Sequence, residues 1–277
     1  MIKQIRPATR TAAASAVMAL AGMLLVSGPV AAQAPQQDDM WPGISKELYA
    51  ARPIAEGDGT VTLEAPYRAE DAAVVPITMR IPAAIAARAK SLSLIIEKNP
   101  MPVAATFAFG PAAGLGERVI TTRVRVDMYS NIRAVVELDD GSLHMDTKFV
   151  KAAGGCSAPA LKDAADALAG IGKMKLRPVE APQSTTMQEA QVMIRHPNYS
   201  GMQMNQLTGL YIPAKYVESM EVRRGDEVVF TMSGGISLSE NPNIRFTYSG
   251  APSDALTVVA KDTDGSQFTI RHTPSGS

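Results

Sequence analysis

The stretch IRAVVELDDGSLHMDTKFV, residues 132–150, contains two runs of alternating side chains separated by a turn. One face of the first run carries Ile132, Ala134, Val136 and Leu138, and one face of the second carries Leu143, Met145, Thr147 and Phe149. The turn sequence DDG (139–141) lies between them. A period of two is typical of a strand with one buried face, so this stretch predicts an antiparallel hairpin.

The same period recurs on both sides of the hairpin. Alternating runs lie at 75–81, 92–96, 107–109, 120–126, 220–222, 228–232, 244–248, 256–260 and 268–270. In the run 120–126, Arg123 and Arg125 are predicted on the polar face. No long helical pattern separates these runs, so the fold is predicted to be all-β and of the sandwich type.

The alternation is interrupted between two blocks of predicted strands. The first block forms a domain at 40–157, and the second forms a smaller domain at 191–273. The connecting residues 158–190 are interpreted as a linker, because they contain Pro178, Pro182 and a QSTT run. Helical spacing within the linker predicts one short amphipathic helix, and its apolar residues are Leu161, Ala164, Leu168 and Ile171.

The first 32 residues have the pattern of a secretory signal peptide. A long apolar run at 11–30 follows three basic residues, which are Lys3, Arg6 and Arg10. Small residues precede the predicted cleavage point after Ala32, so 1–32 is expected to be removed and the protein to be exported, with an uncleaved membrane anchor as the alternative. No later segment is long and apolar enough to span a bilayer.

Charge excludes some classes of partner. The whole chain has 27 basic and 27 acidic residues, and loss of 1–32 leaves 24 and 27, a net charge of −3. This is too small to indicate nucleic acid or a membrane surface as a partner.

The single cysteine, Cys156, lies in the sequence VKAAGGCSAPA (150–160). An exported chain with one cysteine has no internal disulfide. Gly154 and Gly155 precede the thiol, so we expect a flexible arm that extends from the hairpin and exposes Cys156. A buried inert thiol and a catalytic cysteine are the alternatives.

Neither a metal site nor a cofactor site is predicted. The three histidines, His144, His196 and His272, are far apart, and none has a second ligand at helical spacing. No histidine adjoins Cys156 in the sequence, and a thiol on a mobile segment does not hold catalytic geometry well. No catalytic residue is therefore predicted.

Several motifs resemble the SoxY and SoxZ subunits of the bacterial sulfur-oxidising carrier SoxYZ. The SoxY-like motifs are TLEAP (62–66), VPITM (75–79), IIEKNPMPVAATF (95–107), TRVRV (122–126) and GGC (154–156). The SoxZ-like motifs are IRHPNYSG (194–201), LYIPAKYVESMEV (210–222) and GGISLSENPNIRF (234–246). They occur in the order Y then Z, and this is similar to the fused, quinoprotein dehydrogenase-associated SoxYZ-like carriers.

This resemblance implies two immunoglobulin-like sandwiches and a periplasmic carrier that is not itself an enzyme. It implies that Cys156 attaches sulfur intermediates covalently, as in thiosulfate oxidation. The implied partners are a c-type cytochrome, a sulfate-releasing hydrolase or a pyrroloquinoline-quinone dehydrogenase. One departure is clear: the family arm ends its chain, whereas Ser157, Ala158, Pro159 and a second domain follow Cys156 here. The thiol must therefore be presented as a loop.

Two functional hypotheses remain open at this point. The first is a covalent carrier that uses Cys156, and the second is a non-covalent assembly module for a periplasmic quinoprotein dehydrogenase. An exposed lone thiol would also permit a thiol-linked dimer, although a monomer is equally compatible with the sequence.

Overall fold

Two β-sheets form most of the computed structural model, which describes residues 39–159, 169–179, 186–251 and 253–273. In spatial order, the first sheet contains β1 (Ile54–Glu56), β8 (Leu143–Val150), β7 (Ser130–Leu138), β4 (Ala89–Ile96), β5 (Val103–Phe109), β12 (Glu227–Gly234), β11 (Val217–Arg224), β14 (Leu256–Asp262) and β15 (Gln267–His272). The second contains β2 (Thr62–Glu64), β3 (Val75–Ile81), β6 (Arg118–Val124), β13 (Asn243–Ser249), β10 (Met187–Ile194) and β9 (Met174–Val179). The all-β, immunoglobulin-like sandwich prediction is confirmed.

Helices are short in the described ranges. They are α1 (Trp41–Tyr49), α2 (Ala83–Ala86) and a 3-10 turn (Pro111–Ala113). None of these described helices is long and apolar enough to cross a bilayer. The predicted signal peptide at 1–32 lies outside the described residues.

The N-terminal and C-terminal halves of the chain share both sheets. Strand β5 pairs with β12, where Phe107 lies opposite Met232. Strand β6 pairs with β13, where Ile120 lies opposite Phe246. Because both pairings are antiparallel ladders, the two predicted sandwiches join side by side, and the described residues from Asp39 onward form one compact unit.

Three phenylalanines cross this junction inside the core. The Phe107 and Phe230 rings lie 5.6 Å apart, and the Phe230 and Phe246 rings lie 5.2 Å apart, both edge to face. All three side chains are buried. Burial of one such ring contributes about 1.5–3 kcal/mol, and an edge-to-face pair adds about 0.5–1.5 kcal/mol. We call the two ladders and these rings the seam.

The predicted linker contains regular structure. Strand β9 pairs with β10 in antiparallel register, so the linker prediction is wrong for Met174–Val179 and for the start of β10 at Met187. Pro178 obscured the strand pattern, but β9 lies at a sheet edge, where proline is tolerated. The helix predicted around Leu161, Ala164 and Leu168 lies outside the described residues, and Ile171 lies in a turn.

Candidate functional site around Cys156

The residues after β8 turn back against the loop that follows β6. The Gly154 N–H donates to the Asp127 carbonyl at 2.8 Å, and the Gly155 N–H donates to the Val126 carbonyl at 3.1 Å. These two bonds hold residues 154–158, which we call the thiol segment, beside the ends of both sheets.

The two glycines before Cys156 allow this close approach. Gly154 has φ +79°, in the left-handed region that favours glycine. A Cβ atom on Gly155 would lie 2.1 Å from the Ala72 carbonyl oxygen. The prediction of an arm that extends away from the body is therefore wrong in this structure, where Gly155 is packed between two backbone segments.

Cys156 is fully buried, so the exposed-thiol prediction is wrong. A loop of the C-terminal half covers the segment. The Ser200 hydroxyl donates to the Cys156 carbonyl at 2.5 Å, and the Gln203 amide donates to the Ala158 carbonyl at 3.1 Å. Small residues next to a cysteine in the sequence predict an exposed thiol only if no distant segment of the chain packs over them. Here a loop more than 40 residues away in the sequence supplies the cover.

Burial raises the pKa of the Cys156 thiol to about 12. The negative charge of Asp127 raises this pKa further, whereas the positive charge of Arg125 lowers it. The Asp127 carboxylate also accepts the Cys156 N–H at 3.3 Å. In this closed state the sulfur is a protonated thiol, and since the thiolate is the nucleophile, it is unreactive at neutral pH.

Arg125 lies directly after β6 and is 2% exposed. This corrects the prediction that it shares a polar face with Arg123. The Arg125 N–H donates to the Ser237 carbonyl at 2.7 Å, so its backbone bonds to a loop of the C-terminal half rather than to a strand. Its Nη1 and Nη2 donate to the Gly155 and Asn198 carbonyls, each at 3.3 Å.

Asn99 fixes the backbone on either side of Arg125. Its Nδ2 donates to the Arg125 carbonyl and to the Ser237 hydroxyl, both at 2.8 Å, and its Oδ1 accepts the Asp127 N–H at 2.9 Å. Asn99 and Ser237 come from opposite halves of the chain. The floor below Cys156 is therefore built jointly by the two halves.

His196 supports the covering loop from below. Its Nδ1 accepts the Asn198 N–H at 3.0 Å, and its Nε2 lies 3.4 Å from the Asp262 carboxylate. Burial lowers the pKa of His196, so the ring is neutral at pH 7. The polar contacts of this ring with Asn198 and Asp262 position the loop that carries Ser200.

The other histidines lie elsewhere. His144 Nδ1 is 2.6 Å from Asp58, and His272 lies in the edge strand β15. Within the described ranges, no three His, Cys, Asp or Glu side chains lie close enough together to hold a metal ion.

Sequence reasoning missed the residues that enclose the thiol. We call the group around the thiol segment the seat, and it consists of Ala72, Arg125, Asp127, Ser200 and Gln203. Arg125 and Ser200 stand in the quoted motifs TRVRV and IRHPNYSG, so a signal was present. The two motifs do not indicate, however, that their residues lie in contact in the folded chain.

Family models match both halves of the chain. The model described as "Sulfur oxidation protein SoxY" matches residues 45–156, and the model described as "Sulphur oxidation protein SoxZ" matches residues 176–273. The first match ends at Cys156. No curated protein sequence matches the chain.

Two solved structures are similar to parts of this chain. The sulfur carrier protein SoxY from Chlorobium limicola f thiosulfatophilum has 25% identity, covers 41% of this chain and 91% of its own, and gives a TM-score of 0.33. A beta-glycosidase from Bacteroides vulgatus has 8% identity, covers 77% of this chain and 24% of its own, and gives a TM-score of 0.24. Overall superposition is poor for both.

The fold and site define a class of protein in which two β-sandwiches enclose one cysteine at their junction. The two domain matches specify it further. The chain is a fused SoxYZ-like protein, with a SoxY domain followed by a SoxZ domain in one polypeptide.

Proposed function

We propose that this chain is a periplasmic sulfur carrier that binds a small sulfur intermediate covalently on Cys156 and presents it to oxidising enzymes. The observation that supports this most strongly is the position of the only cysteine. It is the last residue of the SoxY match and lies in a segment held by side chains of the SoxZ half. The protein itself supplies the attachment point and no catalytic group.

The attachment step needs an external electron acceptor. The Cys156 S–H bond breaks and an S–S bond forms to the terminal sulfur of thiosulfate. The products are the S-thiosulfonate of Cys156, one proton and two electrons. The electrons pass to a c-type cytochrome enzyme, which is the partner class that the Sox domains suggest. A hydrolase that releases sulfate would then act on the adduct.

The closed seat requires the thiol segment to be displaced before attachment. The side chains of Arg125, Ser200 and Gln203 donate hydrogen bonds to backbone carbonyls of that segment. Its own N–H groups donate to Val126 and Asp127. Each such bond contributes about 0.5–1.5 kcal/mol net, so local displacement breaks a few polar contacts and leaves the buried core intact. The segment is continuous with the chain at both ends, so it leaves as a loop and stays at high effective concentration near docked enzymes.

Peptide mass spectrometry tests the carrier proposal. The protein is incubated with thiosulfate and a thiosulfate-oxidising c-type cytochrome enzyme, and then digested without reductant. We expect a reducible mass increase of one S2O3 unit on the peptide that contains Cys156, and none for Cys156→Ser. Equal labelling of Cys156→Ser would contradict the proposal.

The alternative is a non-covalent assembly module for a periplasmic quinoprotein dehydrogenase. The buried thiol with its raised pKa favours this reading, as does an exposed apolar turn in which Leu207, Leu210 and Tyr211 are 92%, 68% and 69% exposed. In that case Cys156→Ser retains partner binding and cellular function. Growth of a Cys156→Ser strain on the dehydrogenase substrate and on thiosulfate separates the two functions.

A further inference from the structure

Arg125 is a buried cation beside the thiol, and no carboxylate of the described residues pairs with it directly, although Glu240 and Asp71 act on it from farther away. Among the residues that the structure describes, no carboxylate oxygen lies within 4.0 Å of its guanidinium nitrogens. Its Nε has no hydrogen-bond partner there either. Burying a charge without a direct ion-pair partner is costly, so Arg125 would gain from an anion that reaches its guanidinium.

The two other buried arginines show how this fold normally balances such a charge. Arg133 donates to the Glu97 carboxylate at 2.5 Å. Arg118 also has an unpartnered Nε, but its guanidinium lies 4.5 Å from the centre of the Phe109 ring, a cation–π contact. Within the described ranges, Arg125 has neither a carboxylate nor a ring against it.

The Arg125 contacts that do exist are weak and partly releasable. Both of its hydrogen bonds are 3.3 Å long and end on neutral carbonyls. One of these carbonyls belongs to Gly155, in the thiol segment. Displacement of that segment for loading breaks the Nη1 hydrogen bond, so both Nη1 and Nε then lack a partner. The Arg125 guanidinium faces the space that the thiol segment has left.

A second unpartnered polar group lies in the covering loop. The Tyr199 hydroxyl is buried without a hydrogen-bond partner, and Tyr199 adjoins both Asn198 and Ser200. Burial lowers the pKa of Arg125 and raises that of Tyr199, and the negative charge of Glu240 raises the pKa of both groups. One cation and one hydroxyl donor are a suitable set for a sulfur oxoanion.

We propose that Arg125 binds a sulfur oxoanion in the seat when the thiol segment is displaced. The ligand is either free thiosulfate before attachment or the terminal sulfonate of the group attached to Cys156. This rests on the proposed carrier function for its cargo, but the site itself does not require covalent attachment. Tyr199 donates a second hydrogen bond to the same anion.

Cys156→Ser allows the site to be tested without covalent chemistry. Its melting temperature is measured while thiosulfate replaces chloride at constant ionic strength. We expect the melting temperature to rise with thiosulfate and the rise to disappear in Cys156→Ser/Arg125→Met. The matched control, Cys156→Ser/Arg123→Met, removes an exposed arginine two residues away and should keep the full rise.

The melting temperature without thiosulfate separates anion binding from a structural role. Since Arg125→Met removes a buried charge that no carboxylate of the described residues contacts and keeps the unbranched apolar stem, we expect an unchanged or higher value. Arg125→Lys keeps the charge and should retain part of the thiosulfate response. A lower melting temperature in Arg125→Met, together with an undiminished thiosulfate response, would overturn the proposal.

A loaded sample distinguishes the two sources of the anion. Tetrathionate converts the Cys156 thiolate to the S-thiosulfonate and releases thiosulfate, and mass spectrometry confirms the loading. If the attached sulfonate occupies the site, the loaded wild type melts higher than loaded Arg125→Met and shows no further rise with thiosulfate. Absence of an Arg125-dependent shift in both the Cys156→Ser and the loaded samples would overturn the proposal. Enzymatic loading with no such shift would refute the anion site alone, and a shift without enzymatic loading would refute the carrier function alone.

Discussion

The seam and the seat are both places where the SoxY half meets the SoxZ half, but different interactions hold them. The seam consists of two antiparallel ladders over three phenylalanine rings that pack edge to face. The seat is held by hydrogen bonds between the thiol segment, which belongs to no strand, and loops of both halves. A ladder over a buried core opens only with the whole fold, whereas a segment held by a few polar contacts can open alone. The two halves are therefore joined permanently at the seam, whereas their contacts at the seat can open locally.

The largest effect is expected at the seam. Phe230→Ala removes a buried ring that contacts Phe107 and Phe246, and should cost about 3–5 kcal/mol of unfolding free energy. Trp41, the only tryptophan, reports on the SoxY half, although Phe230 lies in the SoxZ half. Urea unfolding followed by Trp41 fluorescence and by circular dichroism should give one coincident, weakened transition. An unchanged Trp41 transition would show that the halves unfold independently.

The next effect is expected at the seat. Gly155→Ala places a methyl group against the Ala72 carbonyl, and overpacking of this kind costs about 1–3 kcal/mol. We expect alkylation of Cys156 by iodoacetamide to accelerate by about 5- to 150-fold, and the unfolding free energy from urea titration to fall by no more than the same 1–3 kcal/mol. Gly43→Ala is the matched control, because a Cβ there meets nothing within 4 Å. Continued protection of Cys156 in Gly155→Ala would mean that the seat tolerates the extra atom.

A smaller effect is expected from the covering loop. Ser200→Ala removes the hydrogen bond to the Cys156 carbonyl, worth about 1 kcal/mol, so alkylation should accelerate roughly fivefold. Ser233→Ala, an exposed serine in β12, should leave the rate unchanged. Equal alkylation rates in wild type and Ser200→Ala would show that the Ser200 hydrogen bond does not hold the thiol segment in place.

The smallest effect concerns pH. A displaced thiol has a pKa near ~8.5, whereas burial raises the pKa of the seated thiol to about 12. Protonation of the thiol therefore stabilises the seated state over the displaced state fully below pH ~8.5. This stabilisation is lost as pH rises towards 12. The protection factor, which is the alkylation rate of a free cysteine peptide divided by that of Cys156, should be constant from pH 7 to 8 and fall above pH 9. A protection factor that increases with pH would contradict the burial argument.

Sequence reasoning predicts the seam far better than the seat. Strands such as β3 and β7 carry long alternating runs, so their existence follows from local pattern alone. The pairing of β5 with β12 depends on how two halves meet, which no local pattern encodes. The seat could not be predicted from the sequence for the same reason. The glycines before Cys156 are typical of a flexible, exposed arm, and no local pattern shows that Ser200 and Gln203 pack over it.

Arg125 illustrates the other limit of a local pattern. Alternation assigns it to the same polar face as Arg123, and the assignment is correct only while the strand continues. Strand β6 ends at Val124, and the next residue is enclosed by loops from both halves. A charged residue at the end of a strand pattern is therefore a position where burial cannot be predicted from periodicity.

The central claim is that Cys156 is released locally while the fold stays intact, and its most direct test is the urea dependence of alkylation. The Cys156 alkylation rate is measured with excess iodoacetamide in urea concentrations well below the unfolding transition. Local release of the thiol segment exposes little surface, so we predict a rate that is almost independent of urea. A rate that rises with urea with the full slope of global unfolding would show that Cys156 is reached only when the whole chain unfolds, which would contradict a carrier thiol held in a releasable seat.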